Sequence, residues 1–259
     1  MSDILVDIGA DGVATLTLNR PEKRNTVRHA MWHEIKAITA RLQADPQVRA
    51  VVLTGAGEHF CAGADISEFQ DLRKDVATTA RFEADIEAGE DSLLKFGKPT
   101  IAAISGFCLG AGCALIMCCD LRIADSSARF GIPAARLGIV YSLRDTRVLY
   151  NIVGLANAKR ILFTGDQFDA AQAQRMGLVD DVVAGSVLAE AKALAARIAA
   201  NAPLSVSGSK IILNAIAEGD PEHRAREIRE LQDVAHTSED HLEAVRAFMS
   251  KRRPVFKGR

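Results

Sequence analysis

The segment KPTIAAISGFCLGAGCALIMCCD, residues 98–120, decides the fold. Thr100 to Ile104 is a short run with no charged residue, the length and composition of a strand covered on both faces. Glycines at 106, 110 and 112 punctuate the turn that follows. Ala111 to Met117 then reads as a short buried helix, and Leu121 to Ala124 as the next strand. A helix between two such strands is a crossover, and a crossover leaves the strands parallel.

The flanking sequence extends this pattern. Val48 to Thr54 is another strand, preceded by helical spacing in Val27 to Leu42 (Met31, Ile35, Ile38, Leu42) that stops before Pro46. At the start, Ile4 to Ile8 and Val13 to Leu18 flank Gly9-Ala10-Asp11-Gly12, a hairpin signal. Toward the C-terminus the periodicity is helical over Ala156 to Gln174 and over Val187 to Lys251, broken by Pro203, Gly219-Asp220-Pro221 and Ser238. The expectation is an α/β core over residues 1–195 and a helical region over 196–259. Glu222 to Glu230 alternates in charge as an exposed helix does.

Composition bounds the function. With 259 residues, 48% hydrophobic and 25% charged, the chain can bury a sizeable core. A net charge of −1 provides no global field toward nucleic acid or an anionic membrane, so neither is expected as a partner. The first residues, MSDILVDIGADGV, lack a basic n-region, and the longest apolar run, Cys113 to Cys119, is too short for a bilayer; a cytoplasmic protein is expected. Five cysteines without a CxxC suggest reduced, buried thiols rather than disulfides or zinc.

Two glycine-containing turns follow strands: Phe60-Cys61-Ala62-Gly63-Ala64-Asp65-Ile66, and Gly106 to Gly112. Both can present backbone N–H groups, and the helix opening near Ala111 points free amides and the positive end of its dipole at whatever docks there. Glycine at such a turn also has a purely conformational reading, and both remain open here. GxxxxGK[ST] and GxGxxG are absent, which removes support for triphosphate and dinucleotide binding.

These residues resemble the crotonase (enoyl-CoA hydratase/isomerase) superfamily over nearly the whole chain. Leu18-Asn19-Arg20-Pro21 with Asn25 resembles its first adenine-side loop. Phe60 to Ile66 resembles its [FS]xAGxD segment, and Lys98 to Asp120 its KPxIAAxxG…GxGxxLxxxCD block, continued by Phe130-Gly131-Ile132-Pro133 and Leu137-Gly138. The resemblance implies a crotonase-like spiral of ββα units, a C-terminal helical trimerisation region, and a homotrimer or a hexamer built as a dimer of trimers. It implies an acyl-CoA thioester as ligand, with no separate cofactor because the substrate carries the CoA. The amides of Ala64 and Ala111 would then face the thioester carbonyl, with Ala111 at an ordinary helical φ where the family usually has glycine. Lys23, Arg24, Ala62, Asp65 and Ile66 would lie along the CoA, and Phe248 and Lys251 would close over its nucleotide, often from a neighbouring subunit.

The pattern also fails in places. The two glutamates of hydratases fall at Ala114 and Ala134, and a methyl can neither give nor take a proton. In Gly138-Ile139-Val140-Tyr141-Ser142-Leu143-Arg144-Asp145 a tyrosine follows the leucine-glycine pair, which resembles the methylmalonyl-CoA decarboxylase branch. Tyr141 has three readings: orienting an acyl carboxylate or carbonyl, plain packing, or general acid. Ser142 stands where some relatives carry a catalytic aspartate, a role serine cannot fill without an activating base. Asp145 and Arg144 read as first-turn helix residues, and Glu68, Glu83 and Glu87 as exposed charges that could substitute as bases.

His29 and His33, spaced i, i+4, form a potential metal pair without a visible third ligand, so no metal site is expected. His59 either touches a diphosphate or caps its loop. The chain therefore reads as an acyl-CoA enzyme stabilising an enolate, a lyase or decarboxylase rather than a true hydratase. The competing reading is a catalytically degenerate CoA-ester-binding or partner-subunit protein.

Overall fold

A hairpin opens the chain: β1 (Ile4–Ile8) pairs antiparallel with β2 (Val13–Leu18), Ile4 opposite Leu18. Helix α1 (His29–Ala44) returns the chain to β3 (Ala50–Gly55), parallel to β2. The short α2 (Phe69–Leu72) and long α3 (Val76–Leu94) precede β4 (Thr100–Ile104). The structure, a computed structural model, describes residues 2–72 and 74–259. The decisive segment continues as β5 (Phe107–Leu109) and α4 (Ala111–Met117), then β6 (Leu121–Asp125) and β7 (Arg129–Gly131). Next come α5 (Leu143–Thr164), β8 (Phe168–Asp169), α6 (Ala170–Met176), β9 (Asp181–Val183) and α7 (Val187–Ala199). Helices α8 (Pro203–Glu218), α9 (Ala225–Thr237) and α10 (Glu239–Met249) complete the helical region.

Two sheets result. The larger runs β1-β2-β3-β4-β6-β9, parallel except at the hairpin; the smaller runs β5-β7-β8. In the middle of the larger sheet the pleat sorts side chains by parity. Ala50, Val52, Ile101 and Ala103 pack on Val187, Ala191, Ala195 and Ala199 of α7, whereas Val51, Leu53, Ala102 and Ile104 face the main core. Both faces are covered, which explains a run of apolar residues without polar alternation.

Each repeat of the spiral gives one strand to the large sheet, turns, and gives a second to the small sheet. β4 turns at Ser105-Gly106 into β5, and β6 turns into β7; β3 reaches the same layer through a single bridge at Cys61, parallel to Cys108. The turns stack by backbone hydrogen bonds, Phe60 N–H to Ser105 C=O and Arg129 N–H to Gly106 C=O. Gly106 has φ +54°, and a methyl there would strike the Glu58 carbonyl at 2.3 Å.

The structure departs from sequence expectation in two places. Phe107–Leu109, read as part of a turn, is a strand because it pairs with Arg129–Gly131. The helical stretch expected over 156–174 is split: α5 starts at Leu143, where the Ser142 hydroxyl accepts the Asp145 N–H, and Gly165 at φ +61° ends it before β8. Gly154, non-helical at φ +73°, interrupts α5 and obscures its period.

Asn25 locks the loop before α1. It is fully buried at φ +56°, its Oδ1 accepts from Arg20 N–H, and its Nδ2 donates to the Ala56 and His59 carbonyls. Asn25→Ala removes these bonds from a fully buried position and leaves the Ala56 and His59 carbonyls without this donor, so it should destabilise the protein by roughly 2–4 kcal/mol in urea unfolding. A loss below about 0.5 kcal/mol would show that the loop is held by other contacts.

Candidate active site

The small sheet brings the two glycine turns side by side. Cys61 N–H donates to Phe107 C=O and Leu109 N–H to Cys61 C=O, so the first turn lies along β5. Contact is close: a methyl on Gly112 would stand 2.6 Å from the Cys61 carbonyl oxygen, and one on Gly63 3.4 Å from that of Leu109.

Backbone geometry then selects which amides remain free. Val27 bridges Ala64 in parallel fashion: its N–H donates to Gly63 C=O and its C=O accepts from Asp65 N–H. In such a bridge the opposed residue turns its own N–H and C=O away. Ala111 is the first residue of α4, so its amide has no partner inside the helix. Gly110, with φ +51° and ψ −111°, takes the unusual conformation, and no positive φ falls on Ala111, as expected. Among the described residues, neither the Ala64 nor the Ala111 amide donates a hydrogen bond.

Around the first turn, Arg20 donates to Asp65 at 2.9 Å and to Thr26 C=O. The Asp65 carboxyl sits below its ordinary value, chiefly through the hydrogen bond from Ser67 and then through Arg20. Ala62 N–H donates to Arg24 C=O, while Ile66 is exposed. Lys23 is exposed; the Arg24 guanidinium lies 5.5 Å from the centre of the Phe107 ring. His59 stacks on the same ring, and its Nδ1 accepts from Phe107 N–H, which makes it a brace for the turn. Phe248 and Lys251 are exposed on the helical region.

Ala114 and Ala134 are buried in the main core cluster. The expected substitutes are placed differently: Glu68 accepts the His29 N–H at 2.7 Å, capping α1, and Glu83 and Glu87 are exposed on α3. Ser142 uses its oxygen as the α5 cap. The Tyr141 hydroxyl is enclosed and, among the described residues, has no hydrogen-bond partner. Burial first, then the Asp145 carboxylate, hold it well above the usual tyrosine range, so the hydroxyl keeps its proton and can donate it in a hydrogen bond.

Sequence reasoning missed Glu90. It is 1% exposed on α3, and the Arg144 guanidinium binds it at 2.5 Å, Asp91 at 2.7 Å and Asp145 at 2.7 Å. Arg144 and Asp145 are thus members of a buried ion network, beyond the helix-start role expected of them. Lys95 also pairs with Asp91, which leaves Arg144 to serve both Glu90 and Asp145, and the most buried carboxyl gives up its charge: burial first and Asp145 second push Glu90 up to about 8, against the pull of Arg144. A signal was present, because Phe82, Ile86, Gly89, Glu90 and Leu93 trace the buried face of α3 and put an acid on its apolar stripe.

Asp85 was also missed. It reaches His29 and His33 from α3 and supplies the third donor that the sequence did not reveal. The cysteine reading holds: all five are free and buried, with Cys61 and Cys119 pushed up to about 12 by burial. No helix among the described residues is long and apolar enough to cross a membrane.

A spiral of strand-turn-strand units carrying paired amide turns is the crotonase fold. The family model of enoyl-CoA hydratase/isomerase matches residues 9–259, and the chain belongs to that family. It is 38% identical to the short-chain-enoyl-CoA hydratase of Clostridium acetobutylicum, over 93% of this chain and 92% of that one. It is 35% identical to the 2,3-dehydroadipyl-CoA hydratase of Escherichia coli over the full length of both. The crystal structure of an enoyl-CoA hydratase/isomerase family protein from Hyphomonas neptunium superposes with a TM-score of 0.95 at 36% identity, covering 100% of this chain and 98% of the other.

Glu90 makes stability depend on pH. The folded protein keeps this proton up to about pH 8, whereas an unfolded chain releases it near 4.5. The contribution is therefore complete below 4.5 and lost as pH rises through 8. Thermal or urea unfolding of Glu90→Gln beside the unaltered protein should show that the latter alone loses stability across this interval, by up to a few kcal/mol. Parallel curves would mean Glu90 is ionised in the fold.

Proposed function

We propose that the protein is an acyl-CoA enzyme that stabilises a thioester enolate between the amides of Ala64 and Ala111, acting as a decarboxylase or related lyase rather than a hydratase. The observation that supports this reading is the pair of free amides on adjacent turns, taken with alanine at both 114 and 134. Two donors fixed in the backbone favour a developing oxyanion over the neutral carbonyl and need no reorganisation during reaction. Hydration would need one group to deprotonate water and another to protonate the α-carbon, and Ala114 and Ala134 offer neither.

Decarboxylation asks less of the protein. The bond from the α-carbon to the carboxylate breaks, its electron pair enters the enolate, and CO2 departs; the α-carbon then takes a proton from water or the Tyr141 hydroxyl. Tyr141, protonated and without an internal partner, suits the task of donating to an acyl carboxylate or carbonyl. Ser142, as the α5 cap, supports Tyr141 rather than reacting itself. On this reading Lys23 and Arg24 meet CoA phosphates, and Ala62, Asp65 and Ile66 shape the channel. Phe248 and Lys251 close the nucleotide site within a trimer or hexamer. Exposed Leu213, Ile216, Leu242, Val245 and Met249 on the helical region support assembly.

Mass spectrometry of incubations with malonyl-, methylmalonyl-, crotonyl- and β-hydroxyacyl-CoA tests the reaction, with light scattering to give the mass of the assembly. Loss of CO2 from a malonyl-type thioester with feeble crotonyl-CoA hydration is expected. Tyr141→Phe should fold at least as stably and turn over about 100-fold more slowly. Robust hydration would overturn the proposal. Binding without any product would favour a CoA-ester-binding protein instead.

A further inference from the structure

Helices α1 and α3 pack so closely that a methyl on Gly89 would stand 2.9 Å from the Trp32 ring. One turn before Gly89, Asp85 consequently faces His29 and His33, which share a face of α1 one turn apart. Asp85 Oδ2 lies 2.9 Å from Nε2 of His29 and 3.6 Å from Nε2 of His33. The three donor atoms all fall within 4.8 Å of one another. The imidazoles meet edge to face, with centroids 5.1 Å apart, and the Phe82 ring meets the His29 ring edge to face at 5.3 Å.

We propose that His29, His33 and Asp85 form a binding site for a divalent transition-metal ion of the zinc class, with water as fourth ligand. Tetrahedral zinc bonded at about 2.0–2.1 Å spaces its ligand atoms about 3.3 Å apart, and the two separations at Asp85 bracket that value. Two imidazoles select zinc, cobalt or nickel over magnesium and calcium, which prefer oxygen. A simple hydrogen bond accounts for His29 and Asp85 but leaves His33 without a role. When the ion enters, the proton on His29 Nε2 moves to Nδ1 or to solvent, and both the nitrogen and the Asp85 oxygen pass to the metal.

The site stands apart from the acyl-CoA reading and does not depend on it. Its consequence is mechanical. Val27, two residues before His29, holds Ala64, and Glu68 caps α1 at His29 itself. The ion would tie this helix to α3, which carries Glu90.

Calorimetric titration of the untagged full-length protein, freed of metal by chelator, tests the site. One zinc per chain should bind while magnesium gives no heat, and Tm should rise by several degrees at about hundredfold excess over Kd. His33→Ala, which spares the His29–Asp85 bond, should abolish the response. Asp85→Asn should do the same. His236→Ala, altering the separate His236–His241 ring pair, should leave it intact. Absence of saturable zinc binding, or undiminished binding in His33→Ala and Asp85→Asn, would overturn the proposal.

Discussion

The contact on which the site depends is the backbone pairing of residues 60–64 with 107–109, strengthened by Val27 on one flank and β7 on the other. Because the peptide groups make it, the geometry is independent of side-chain chemistry, and alanine serves at both 64 and 111. Side chains act around the pairing, with Asn25 and His59 bracing the loops, and at its closest points by their absence. Gly112 permits α4 to lie against Cys61, and Gly110 takes the backbone angle that lets the helix start with a free amide. The large sheet and α7 carry no part of the candidate site, yet they fix the strand ends from which both turns spring.

Charge around Arg144 is arranged by burial. Arg144, Glu90, Asp91 and Asp145 lie together, and a buried ion cluster of this kind costs desolvation that ion pairing alone does not fully offset. Leaving Glu90 protonated reduces that cost. The same cluster bears on Tyr141, whose hydroxyl is kept neutral by burial first and by the Asp145 carboxylate second.

Much of this was legible in residues 98–120. The strand, the helix Ala111–Met117 and their parallel return agree with the structure because local length, composition and glycine placement all point one way. Motif resemblance supplied the spiral and the candidate turns. Phe107–Leu109 was not legible, since three residues acquire strand geometry only from a partner distant in sequence. Glu90 and Asp85 were hidden for a similar reason. A carboxylate on a helix reads as solvated until the opposite helix is placed, and Gly89 against Trp32 places it.

The carbonyl stretching frequency of an unreactive, 13C-labelled acyl-CoA thioester bound to the protein addresses the paired amides most directly. Two backbone donors on one oxygen should draw the band well below its frequency in water, with the shift reduced when Gly112→Ala forces the turns apart. A bound thioester that keeps its solution frequency would contradict the pairing of the Ala64 and Ala111 amides on a single oxygen.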